Sequence, residues 1–164
     1  MSQPVTLRLS TVLQLKKVCD NILYEKDSEG RITERNLPFR LKYRLGKNMT
    51  YLDKYTSVFL QNQLYFKANF GTENPETHAI EFEEDGAKRF TYALKELLNK
   101  EVTINITTLE PEDIELLTFN TPASLEDVRV FTAFMMNDQD FFKDINSKVD
   151  IDLTEILKDA MKNA

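Results

Sequence analysis

The sequence holds one cysteine, Cys19, and one histidine, His78. A single cysteine excludes an intramolecular disulfide framework and any multi-cysteine metal centre. A single histidine removes most zinc sites and most Ser-His-Asp arrangements. Tryptophan is absent, and the chain has only four glycines and five prolines. Few sharp turns are therefore available, and long regular elements are expected. The glycines lie far apart, which leaves no G-x-G-x-x-G and no phosphate-cradling loop. No apolar run approaches the ~18 residues that a membrane span needs. Met1-Ser2-Gln3-Pro4 carries neither a charged nor an apolar leader segment, so a reduced, cytosolic setting is expected.

What remains is a chain of 164 residues, 41% hydrophobic and 29% charged, with a mean hydropathy of −0.42. Those values suit one globular domain with a core of its own. The net charge of −6 is unevenly spread. Residues 1–70 hold twelve Lys or Arg against six Asp or Glu, and residues 71–164 hold nine against twenty-one. Such a split makes a dipolar field that steers association, unless both sets are simply solvated faces.

Val5-Thr6-Leu7-Arg8-Leu9 alternates as a half-buried strand. Ser10 is placed to cap the helix that follows, whose stripe is Val12, Leu15, Val18, Cys19 and Ile22. Cys19 on that stripe reads as a small core residue. Residues 25–35 form a charged connection, with a short hairpin at Glu29-Gly30. Pro38 then opens a helix reaching Phe70-Gly71, with Leu41, Leu45, Met49, Leu52, Tyr55, Phe59 and Phe66 on one stripe. Gly46 inside it suggests a kink or a close helix crossing. This helix is expected to pack antiparallel on the first as an αα-hairpin. A second strand is read at Ala79–Glu83, a helix from Phe90 to Asn99 and a third strand at Val102–Ile106. Three helical segments follow: 110–117, one opened by Thr121-Pro122, and one capped by Asp152 with Glu155 three on. The expected class is α+β: a long αα-hairpin packed with a small three-stranded, mostly antiparallel sheet and additional C-terminal helices. Residues 1–136 read as a single α+β domain. Residues 137–164 read as a polar hinge plus an amphipathic helix, packed on the same domain or on a partner.

Catalytic constellations are scarce. His78 lies in a turn with no recognisable nucleophile motif beside it. Glu81 with Glu83, Asp138 with Asp140, and Asp150 with Asp152 are paired carboxylates of the kind that hold a hard cation or act as acid and base. None has the spacing of a calcium loop, and a solvated strand edge and helix caps explain them equally well. The expectation is no catalytic residue, no metal, no cofactor, no small-molecule substrate and no membrane partner.

Two stretches point to interaction instead. Arg40, Arg44, Lys47, Tyr51 and Lys54 step by four, three, four and three, so they share one face of the long helix. A basic row with an aromatic member fits a phosphate backbone, an acidic protein or the acidic half of a second copy, as well as a solvated face. The overall acidity favours a protein partner or self-association over nucleic acid. In the C-terminal part, Phe141 and Phe142 with Leu153, Ile156 and Leu157 form a second apolar set that folds back as core or docks on a partner.

Leu37-Pro38-Phe39-Arg40-Leu41-Lys42-Tyr43-Arg44-Leu45-Gly46-Lys47-Asn48 begins a pattern that resembles a family of small phage and prophage proteins of unknown function. The likeness covers residues 6 to about 135 and continues through Leu97-Leu98 and the Glu101-Val102-Thr103-Ile104-Asn105-Ile106 strand. It is a pattern of apolar spacings rather than a catalytic signature. The insert at 25–35 and the tail after 137 depart from it. The resemblance implies a viral setting and a structural or accessory role, in the host cytoplasm or the virion, and carries no functional residue across.

Overall fold

A computed structural model describes residues 2–148 and 154–162 of the chain. The two cleanly alternating segments find each other. β1 (Ser2–Arg8) runs antiparallel to a later strand, Glu101–Thr107, with Val5 opposite Ile104 and Leu7 opposite Val102. Their inward side chains, Val5, Leu7, Ile104 and Ile106, are buried. β1 passes directly into α1 (Leu9–Leu23), which buries Val12, Leu15, Val18, Cys19 and Ile22. Ser10 does not cap this helix: it lies inside the first turn with its hydroxyl unbonded.

Tyr24–Lys26 (β2) and Ile32–Glu34 (β3) make a short hairpin. Its turn is held by Asp27, whose Oδ1 accepts the Glu29 and Arg31 amides, while Gly30 supplies the positive φ of 78°. α2 (Phe39–Phe70) follows Pro38, which stands just before the helix rather than at its first position. It packs back along α1, where Lys16 lies 3.0 Å from Asp53 of α2. The helix runs unbroken through Gly46, whose Cα faces open space, so among the described residues no helix crosses there.

The second expected strand is only Ile80–Glu81 (β5), and it pairs with its neighbour Thr72–Glu73 (β4). The Asn74 side chain accepts the Glu76 and Thr77 amides and closes the turn locally. Among the described residues the strands therefore form three separate antiparallel pairs, not one three-stranded sheet. The α+β class holds. α3 (Glu84–Asn99) starts six residues before Phe90, with Asp85 and Gly86 in its first turn. A Cβ on Gly86 would sit 2.2 Å from the Phe70 carbonyl oxygen, so only glycine lets α3 approach the end of α2.

Beyond β6 (Glu101–Thr107) come α4 (Pro111–Glu115), α5 (Leu125–Met135), α6 (Gln139–Ser147) and α7 (Thr154–Lys162). α5 starts three residues later than Thr121-Pro122 suggests. Ser124 caps it, while Thr121 is drawn to Asn21, which accepts its amide at 2.8 Å. The stretch read as a hinge holds α6, capped by Asp138 and anchored by buried Phe142.

A two-stranded ribbon exposes two open edges. Here helix side chains bond both. On the β1 side, Gln139 donates to the Pro4 carbonyl and Asn146 to the Thr6 carbonyl, each at 2.9 Å. On the β6 side, Tyr55 donates to the Thr103 carbonyl at 3.3 Å, and Asn48 takes both groups of Thr107.

Candidate interaction site on the long helix

α2 spans 32 residues, a rod of about 48 Å at 1.5 Å per residue. Its inner stripe, with Leu41, Leu45, Met49, Leu52 and Phe59, is buried. In its first half, several polar residues also turn inward. Asn48 is fully buried, its Nδ2 donating to the Thr107 carbonyl at 2.8 Å and its Oδ1 accepting the Thr107 amide at 2.7 Å. The amide thus completes the last rung of the ribbon as a third strand would.

Arg44 is drawn out of the exposed basic row, and Arg40, still exposed, leans toward the same carboxylate. Arg44 donates to the Thr108 carbonyl at 3.1 Å and lies 3.5 Å from both Glu110 and Asp113. Arg40 lies 3.3 Å from Asp113, whose residue is 5% exposed. A buried carboxylate needs such partners. The charge split along the chain is thus partly neutralised inside the fold. Arg35 acts similarly, donating to the carbonyls of Ile22 and Thr118.

The rest of the row does face solvent. Lys47, Tyr51 and Lys54 are exposed, and the same stepping continues through exposed Val58, Gln61 and Tyr65. Phe39 and Tyr43, also exposed, stack at the helix start with ring centroids 6.0 Å apart. The Lys47 ammonium rests 4.7 Å from the Tyr43 ring centre and Lys54 5.7 Å from that of Tyr55. Such contacts at exposed sites contribute about 0.5–1 kcal/mol, so both heads are easily redirected. The helix has one acidic residue, Asp53, which Lys16 holds at 3.0 Å. Burial pulls the Lys16 ammonium down, but its bonds to Asp20 and Asp53 outweigh that and raise it above its ordinary value. The charge pattern stops at Lys54, which hides Val58, Gln61 and Tyr65 from a reading based on basic residues. The spacing itself would have found them.

The C-terminal set turns the other way. Phe142 is buried edge-to-face against Phe141, and Phe141, Ile156 and Leu157 are half-buried on the chain's own core. Leu153, with Asp150 and Asp152, lies outside the described residues.

One carboxylate in each of the two described pairs is used locally. Glu81 accepts from Asn74 Nδ2 at 2.8 Å, and Asp138 accepts the Phe141 amide. Among the described residues, no three His, Cys, Asp or Glu converge on a point that suits a metal ion. His78 is exposed and bonds Glu73 at 2.8 Å. Cys19 is buried, which pushes its thiol up to about 12 and keeps it protonated. Among the described residues, no helix is long and apolar enough to cross a membrane. Comparison with family models, with curated proteins and with solved structures gives no match.

Proposed function

We propose that this chain is a non-enzymatic interaction or structural protein whose working surface is the outer face of α2. One observation carries the reading: an exposed seam of Lys47, Tyr51, Lys54, Val58, Gln61 and Tyr65 that runs along the middle of the helix. Exposed large apolar side chains grouped on one face mark a surface that another molecule covers. The local use of the carboxylates and the burial of Cys19 also favour binding over catalysis. The resemblance of residues 6–135 to small phage proteins supports a phage-encoded role. The roles it suggests are virion component, assembly factor or host-takeover accessory, in the virion or the host cytoplasm.

A photo-crosslinking residue placed in turn at Tyr51, Val58 and Tyr65 tests this in cells that make the native protein. The expected result is one shared product from all three positions and none from Tyr92, an exposed site on α3. Equal labelling at all four positions, or none at the first three, overturns the reading.

A second reading has its own observation. The stacked Phe39 and Tyr43 rings beside Lys47 form a platform of the kind on which nucleic-acid bases stack. A salt-dependent gel shift lost in Tyr43→Ser and Lys47→Ala variants would favour it.

A further inference from the structure

We infer that the seam of α2 from Lys47 to Tyr65 takes an acidic amphipathic helix of a partner protein, an inference that rests on the interaction role proposed above. Lys47, Tyr51, Lys54, Val58, Gln61 and Tyr65 step by four, three, four, three and four. That alternation keeps side chains facing a second helix wound around the first. All six are exposed, on the side of α2 away from buried Leu41, Leu45, Leu52 and Phe59. The seam is about 27 Å long, which suits a partner helix of roughly three heptads.

Charge selects the occupant. The seam holds two lysines and no carboxylate. The one acid of α2, Asp53, is held by Lys16. A fitting helix presents apolar residues to Tyr51, Val58 and Tyr65, and Asp or Glu to Lys47 and Lys54. A second α2 in the same role brings two more lysines to the contact and no acid to meet them. A phosphate backbone makes no use of apolar residues recurring every seventh position, and the chain's net charge of −6 opposes it.

Two synthetic three-heptad peptides test the assignment. One carries Leu in the register of Tyr51, Val58 and Tyr65 and Glu in the register of Lys47 and Lys54. The other replaces those Glu residues with Lys. The expected result is that the full chain binds the acidic peptide about tenfold more tightly than its control, less so at high salt. The Lys47→Glu, Lys54→Glu double variant reverses the preference. Its circular dichroism spectrum keeps the parent's helical content, since both residues are exposed. No preference, or one that survives the charge reversal, overturns the inference. So does tighter binding of a single-stranded 20-mer oligonucleotide, or a dimer in sedimentation that Tyr51→Ser and Tyr65→Ser abolish. Those last two results leave the interaction role of α2 standing, whereas loss of the cross-links at 51, 58 and 65 removes that role itself.

Discussion

The two halves of α2 share one uninterrupted helix but use their outward polar and apolar residues in opposite ways. In residues 39–52, Arg40, Arg44 and Asn48 reach sideways into the chain's own 107–113 segment. In residues 53–70, Val58, Leu60, Leu64 and Tyr65 are left facing solvent. The first half looks like a binding face by charge, yet much of that charge already has a partner. The second half is nearly neutral, yet it leaves four large apolar side chains uncovered. Positive charge in a sequence therefore marks a need for a partner, and only the fold says whether the same chain supplies it.

The sharpest way to break this comparison is to remove the inward anchor. Asn48→Leu leaves the Thr107 amide and carbonyl without their side-chain partner. Each unsatisfied buried group costs about 1–3 kcal/mol, so a loss of about 2–4 kcal/mol is expected in urea unfolding. A loss below about 1 kcal/mol would show that Asn48 is not what ties α2 to the ribbon. Arg44→Met comes next. It keeps the apolar stem but leaves the more exposed Arg40 as the cation facing Asp113, beside the Glu110 amide, and about 1–2 kcal/mol should go. Arg40→Met should cost less than about 1 kcal/mol, because that side chain is 54% exposed and its pair is screened by water. The reverse order of the two arginines would place the clamp on the wrong residue.

What could be read from the sequence follows the same division. The ends of α2, its buried stripe and the two alternating strands of an α+β fold all follow from periodicity and punctuation, which act locally, whereas the choice of strand partners does not. The hairpin at Gly30 is equally local. The pairing of residues 80–81 is not local in the same sense. Whether a short alternating run joins a central sheet or folds on its neighbour depends on a competing side chain, and Asn74 decides it by closing the turn. Thr121 misleads for a similar reason. A good cap at that position is taken by Asn21, a hundred residues away, so the helix starts at Ser124 instead. Within the candidate site, spacing shows that Arg40, Arg44 and Lys47 share a face. Periodicity cannot show that Glu110 and Asp113 pack against two of them, because that pairing spans about seventy residues and exists only once the ribbon has formed.

The smallest expected effect sharpens the contrast from the other side. Val58→Ser and Tyr65→Ser remove large side chains from the same helix that Asn48 anchors. Both positions are exposed, and neither Tyr51 nor Val58 is part of the buried stripe. Substitution at such positions changes stability by less than about 0.5 kcal/mol. The Tyr51→Ser, Val58→Ser, Tyr65→Ser triple variant should therefore unfold within about 1 kcal/mol of the parent while losing its bound partner. A helix that keeps its stability and loses only its binding has a face that the fold does not need. If the triple variant instead unfolds several kcal/mol earlier, those side chains support the chain's own structure, and the outer half of α2 is no different in kind from the inner.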